Sequence, residues 1–185
     1  MRKLRIAWGI TGAGDYLLES LETMKKVARD HEVTVLVSKS AEVVLKMYRL
    51  WDDLQANFAQ ISVEKGPNQP FVAASLQVGR YSVFFISPAT ANTVAKIAHG
   101  IADSLISNCV AQAIKGGMQV HIYPVDQQLG SLETQVPSGK RITLTTRKID
   151  VENVERLRNM EGITVLQQPS DIESIVVSMA SRETK

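Results

Sequence analysis

Short apolar, often β-branched runs alternate with helical stripes along the whole chain, and that alternation admits few folds. Leu4–Ile10 is a strand-length apolar run, after which Leu17, Leu21, Met24 and Ala28 fall on one helix face. Val33–Val37 is the next run, and Val44, Met47, Tyr48 and Trp51 follow at helical spacing. Residues 52–80, punctuated by Gly66-Pro67 and Gly79, read as loops and short pieces. Tyr81–Ile86 is a third strand, and Ala91, Val94, Ala95, Ala98, Ile101 and Ala102 form a helical stripe. Leu105, Cys109, Val110 and Ile114 form another, stopped by Gly116-Gly117. Gln119–Val125 is a fourth strand, residues 126–140 a polar loop, and Arg141–Thr145 a short strand. Val151, Val154 and Leu157 line a helix, and Ile163–Leu166 is a last strand. Ser170-x-x-Glu173 reads as a capping box opening a final helix. Such a series predicts an α/β fold, a doubly wound parallel sheet with helices on both faces.

The chain has 185 residues, which fits one domain over residues 1–185 at roughly 150 residues per domain. A 44% hydrophobic share is enough to bury a core. A net charge of +2 with only 5% aromatics disfavours a nucleic-acid binder. No run approaches the ~18 apolar residues of a membrane span, so no membrane association is expected. One cysteine, Cys109, excludes an internal disulfide or an iron–sulfur cluster held by this chain alone, and suits a cytoplasmic protein. His31, His99 and His121 are scattered without ligand spacing, so no metal site is expected. Ser38 and Ser87 lack a His and Asp partner set for a hydrolase, and Cys109 reads as a core residue.

In doubly wound sheets ligands bind at the carboxyl ends of the strands. After the first strand comes Gly9-Ile-Thr-Gly-Ala-Gly-Asp15, whose glycines let backbone N–H groups approach a phosphate. It is a poor match to a dinucleotide fingerprint, and the second strand ends in Ser38 where such sites carry an acid for the ribose. A mononucleotide phosphate or other small anion fits better, and a plain packing turn is the competing reading. After the third strand, Ser87-Pro-Ala-Thr-Ala-Asn-Thr93 crowds four polar side chains at a helix start. One suffices for a cap, and the surplus suits a phosphate or the edge of a heterocycle. Asn92, Lys96, His99 and Asp103 continue as a polar stripe.

Ser87–Asp103 resembles the signature of the homo-oligomeric FMN-containing flavoproteins, which include the phosphopantothenoylcysteine decarboxylases and, more distantly, the flavin prenyltransferases. Trp8–Asp15, Thr145–Asp150 and Gly162–Leu166 are similar to the archaeoflavoprotein and dihydromethanopterin reductase branch. The resemblance covers nearly the whole chain. It implies a Rossmann-like sheet that binds FMN without covalent attachment. Gly12, Ala13 and Gly14 then approach the phosphate with Ser38 nearby, and Ser87, Ala89, Thr90, Asn92 and Thr93 hold phosphate and flavin. It also implies trimers assembled further, a flavin near a subunit interface, and Asp103 at that interface.

Departures from the family narrow the chemistry. Ala13 stands where many of the decarboxylases carry Ser, no His occurs between His31 and His99, and Pro124-Val-Asp-Gln127 replaces their Pro-x-Met-Asn. The resemblance therefore implies an FMN-dependent oxidoreductase that reduces dihydromethanopterin or a related dihydropterin by hydride transfer, not a decarboxylase. Asp126, at a strand end, is the candidate proton donor, and Asn92 and Gln127 are candidates to hydrogen-bond pterin or flavin. Electrons would come from a partner such as ferredoxin or another flavoprotein. The alternative is an FMN electron carrier without a small-molecule substrate. A prenyl-transferring enzyme needs a second phosphate site, for which only Arg141, Arg147 and Lys148 are at hand.

Overall fold

The computed structural model describes residues 2–136 and 138–181. Its elements are β1 (Arg5–Ile10), α1 (Leu17–Ala28), β2 (Glu32–Val37), α2 (Lys39–Met47), α3 (Trp51–Asn57), β3 (Gln60–Val63), α4 (Val72–Gln77) and β4 (Val83–Ala89). They continue as α5 (Ala91–Ala98), α6 (Leu105–Lys115), β5 (Val120–Pro124), β6 (Ser131–Gln135), β7 (Arg141–Thr145), α7 (Lys148–Arg158), β8 (Ile163–Val165) and α8 (Asp171–Ser181).

Six strands form one sheet in the order β3-β2-β1-β4-β5-β8, and every pairing in it is parallel. β1 and β4 read as continuous apolar runs because both of their faces are covered. On one face Trp8 and Phe85 pack with Leu21 and Met24 of α1, Leu45 of α2, Leu54 of α3 and Val176 of α8. On the other, Phe84 and Ile86 pack with Leu76 of α4, Val94 of α5, Ile106 and Val110 of α6 and Leu157 of α7. The chain winds outward from β1 to β2 and β3, then returns to place β4 on the other side of β1. A crevice therefore opens between the carboxyl ends of β1 and β4.

Several local expectations are corrected. The stripe from Val44 to Trp51 spans two helices, because Arg49 takes a left-handed φ of 59° and ends α2 before α3 begins. The stripe from Ala91 to Ala102 stops at Ala98, where Gly100 at φ 71° turns the chain and leaves Ile101 exposed. Residues 52–80 do hold loops and short pieces, among them the edge strand β3 and the six-residue α4. The polar loop 126–140 contains β6, which pairs antiparallel with β7 in a hairpin outside the main sheet. The box at Ser170 and Glu173 gives way to other contacts. Asp171 Oδ2 accepts from the N–H groups of Gln167 and Gln168, and Glu173 accepts from Lys26 at 2.9 Å.

Candidate functional site

Close packing makes Gly12 of the first loop obligatory and crowds Gly14. A Cβ on Gly12 would lie 2.6 Å from Ser40 Cβ and 3.1 Å from the Ser40 carbonyl carbon. One on Gly14 would lie 2.5 Å from the Tyr48 hydroxyl oxygen. The loop thus lies against the start of α2, where Ser38 caps the helix by accepting from the Ala41 N–H at 3.1 Å. The Ala13 N–H turns back to the Thr11 carbonyl at 2.8 Å. The N–H groups of Gly12 and Gly14 find no acceptor among the described residues. Two free donors on glycines, beside a helix N-terminus, suit a phosphate group.

Thr11 joins this loop to the one after β4, a link that sequence reasoning missed. Its hydroxyl donates to the Pro88 carbonyl at 2.9 Å and accepts from the Thr90 N–H at 2.8 Å, and the whole residue is buried. Its position between the strand and the first glycine was the available signal. Thr11→Val keeps the shape but leaves the Thr90 N–H without its acceptor, while the Pro88 carbonyl still accepts from the Thr11 N–H at 3.2 Å; the variant is expected to lose about 1–3 kcal/mol in urea unfolding.

The Ser87–Thr93 segment divides into support and surface. Ser87 is fully buried, with its hydroxyl 2.8 Å from that of Ser20 and its carbonyl accepting from Trp8 Nε1 at 2.9 Å. Ala89 is fully buried as well. Neither has accessible surface, and both shape the turn from below. Thr90 caps α5, accepting from the Thr93 N–H at 3.3 Å and donating to the Thr93 hydroxyl at 3.1 Å. Asn92 is exposed at the start of α5 without a hydrogen-bond partner among the described residues. Asp103 is exposed and pairs with Lys96 through both carboxylate oxygens, at 2.8 and 2.9 Å.

Beside the first loop lies a pocket of about 310 Å³, bounded by Asp15, Tyr16, Tyr123, Asp126, Leu132 and Leu144. Tyr16 enters α1 at a left-handed φ of 57°, and its ring meets that of Tyr123 edge-on at 5.4 Å. The hairpin forms the outer wall and is tied down by the Thr134 hydroxyl, which donates to Asp15 Oδ1 at 2.6 Å. The Asp126 carboxyl is pushed above the ordinary carboxylate range, chiefly by burial and then by the charges of Asp150 and Asp15, with Arg147 acting the other way. Asp150 sits below that range because Arg147 donates to both its oxygens, at 2.9 and 2.7 Å. Gln127 is spoken for: its Nε2 donates to the Leu166 carbonyl at 2.9 Å and its Oε1 accepts from Arg158 at 3.2 Å. It lines the same pocket, held in place by these two bonds.

The remaining reactive side chains lie elsewhere. Burial pushes the Cys109 thiol up to about 12, in keeping with a core residue. His121 is held down to about 4 by burial and faces Phe85 at 5.3 Å. His99 Nε2 lies 3.1 Å from Asn153 Oδ1. Among the described residues no cluster of His, Cys, Asp or Glu is placed to hold a metal ion, and no helix is long and apolar enough to cross a membrane.

A family model described as Flavoprotein matches residues 1–184. An uncharacterized protein of Methanocaldococcus jannaschii is 51% identical, over 94% of this chain and 95% of that protein. The dihydromethanopterin reductase (acceptor) of the same organism is 32% identical, over 91% and 94% of the two chains. The crystal structure of Burkholderia xenovorans DmrB in complex with FMN, described as a cubic protein cage for redox transfer, superposes with a TM-score of 0.81. It is 30% identical, and the match covers 95% of this chain and 94% of that one.

Proposed function

Because the chain belongs to the Flavoprotein family, we propose that it is an FMN-dependent oxidoreductase reducing a dihydropterin, dihydromethanopterin or a close relative, to the tetrahydro form. When bound, FMN supplies the reducing equivalents as hydride. The free N–H groups of Gly12 and Gly14 hold the phosphate against the start of α2. Ser38, Thr90 and Thr93 keep the two helix starts in place around it, through the caps described above. Asn92, exposed and unpartnered, offers its amide to the edge of a polar heterocycle.

The observation that carries the reading is the Asp126 carboxyl in the pocket beside the glycine loop. Burial and two neighbouring carboxylates favour its protonated form, so it can deliver the proton that must accompany the hydride. The pocket volume of about 310 Å³ suits a bicyclic heterocycle, with Tyr16 and Tyr123 as its aromatic wall. Asp15 accepts from Thr134 and holds the hairpin over the pocket.

Electrons enter from a protein donor such as ferredoxin or another flavoprotein, and the chain works as a homo-oligomer built from trimers with Asp103 at the interface. The deciding experiment is anaerobic mixing of the reduced holoprotein with dihydropterin. Stoichiometric reoxidation with appearance of tetrahydropterin supports the reductase. A flavin that stays reduced with dihydropterin but passes electrons to protein acceptors makes this chain an electron carrier instead. Asn92→Ala is expected to weaken FMN binding about tenfold, the size of one hydrogen bond to a polar ligand, in a fluorescence titration. Unchanged binding would leave Asn92 a solvent-exposed helix residue only.

A further inference from the structure

β5 carries one side chain whose polarity nothing in the chain uses. His121 lies between Phe85 of β4 and Thr164 of β8 in the sheet, and only 8% of it is exposed. Its ring faces that of Phe85 at 5.3 Å. Its Nδ1 is sealed off without a hydrogen-bond partner, alone in this among the buried side-chain nitrogens and oxygens of the described residues. Burying an imidazole in this way costs free energy that a phenyl ring would not lose. Burial also keeps the ring neutral, with one nitrogen protonated and the other a lone pair. A sealed lone pair is the less costly choice, since orphaned N–H groups are the rarer case in folded proteins. Nε2 therefore carries the proton, and it is the nitrogen left to find an acceptor.

A cavity of about 480 Å³ adjoins the ring, bounded by Gln119, His121, Ser174, Ile175, Ser178 and Met179. It exists because α8 covers β5 and leaves the edge strand bare: Ile172, Val176 and Ala180 are buried in the core, while Thr164 of β8 is exposed. Ile175 and Met179 supply an apolar wall. The Ser174 hydroxyl donates to the Asp171 carbonyl at 2.8 Å, and Gln119 Nε2 donates to the Thr164 hydroxyl at 2.9 Å. None of the six lining residues is an acid, a lysine or an arginine. The cavity sits toward the start of β5, whereas the pocket beside the glycine loop is lined by Tyr123, near the end of that strand.

We propose that this cavity is a second binding site, separate from the crevice, for an uncharged ring compound whose carbonyl oxygen accepts from His121 Nε2–H. The apolar wall takes the ring. A carboxylate or ammonium group would lose its hydration here without gaining an ion partner, so charged ligands are rejected. The volume suits a bicyclic molecule. Binding here needs neither the flavin nor the reduction proposed above.

The probe is 1-tetralone, an uncharged bicyclic ketone, titrated into the protein as purified and followed by the imidazole NMR signals. The chain has three histidines, so His31 and His99 serve as internal controls. The His121 signals are expected to shift saturably while the other two stay fixed. His121→Phe keeps a ring against Phe85 and removes the donor, and calorimetry should show binding at least about tenfold weaker. Ser178→Trp, at an exposed position of α8, fills the cavity and should abolish binding with unchanged melting. Stationary His121 signals would overturn the proposal, as would a shift that survives Ser178→Trp or equal binding of 1-naphthoate, a charged molecule of similar size. A change of assembly size in Ser178→Trp would also overturn it, by making the cavity a contact between copies of the chain. If His121→Phe fails to fold, Ser178→Trp decides by the same titration.

Discussion

Gly12→Ala is expected to lower FMN affinity roughly 100-fold, the equivalent of losing two hydrogen bonds to a charged group. The new methyl group would meet the Cβ and backbone of Ser40, at 2.6 and 3.1 Å, and a helix start cannot swing aside as a side chain can. Either the loop or α2 must move, and each carries part of the phosphate floor. Overpacking of this kind also costs about 1–3 kcal/mol of stability. Gly14→Ala makes the informative contrast. Its nearest obstacle is the Tyr48 hydroxyl oxygen, the far end of a side chain that can rotate away. A loss of no more than about tenfold is expected there, since at most one such hydrogen bond is weakened. Equal effects of the two substitutions in a flavin titration would show that loop flexibility, and not contact with α2, governs binding.

Asp126→Asn is the second large expectation. Removing a positioned general acid typically slows proton transfer by about 10²–10⁴-fold. Dihydropterin reduction should fall by that order, while reduction of the bound flavin by an artificial donor is spared. Stopped-flow traces of the two half-reactions separate these outcomes, and equal rates in wild type and variant would remove Asp126 as donor. The pH dependence has a definite sign. The folded protein holds the Asp126 proton to higher pH than the unfolded chain does, so wild-type reduction slows as pH rises through the raised value. Over the window between the unfolded and the raised folded values, the native state binds more protons, and the carboxyl loses stability for the fold as pH rises. Asn carries no charge, so the variant should be more stable than wild type above that window, with the difference vanishing in acid. Lost turnover together with gained stability at neutral pH is the signature of a strained functional carboxyl.

The parts of the molecule legible in the sequence are those where burial writes a period. β1, β2, β4 and β5 are covered on both faces and appear as apolar runs, and α1 and α6 appear as stripes. β3 has four residues, none fully buried, so it leaves almost no pattern. β6 and β7 lie in a hairpin outside the main sheet, and the polar sequence of β6 reads as a loop. Apolar residues also continue past a helix end without marking it: Trp51 after Arg49, and Ile101 after Gly100. In the candidate segments, residue type does not distinguish a side chain at the crevice from one buried beneath it. Ser87 and Thr90 look alike in the sequence, yet Ser87 bonds Ser20 beneath the sheet ends while Thr90 caps α5 at the crevice. Asp126 was legible from its place after β5, whereas its partners Asp15 and Asp150 come from opposite ends of the chain.

The hairpin of β6 and β7 separates two kinds of evolutionary change. It pairs with none of the six strands of the main sheet, and the crossover from β5 to β8 is completed by α7. A side-chain bond from Thr134 to Asp15 ties it to the first loop. Exchange of the β6 and β7 strands is therefore expected to leave the six-stranded sheet folded. The glycine loop has no such freedom, locked as it is between Ser40 and the turn after β4. Such an exchange would change the lining of the pocket and leave the turn between β1 and α1 as it is.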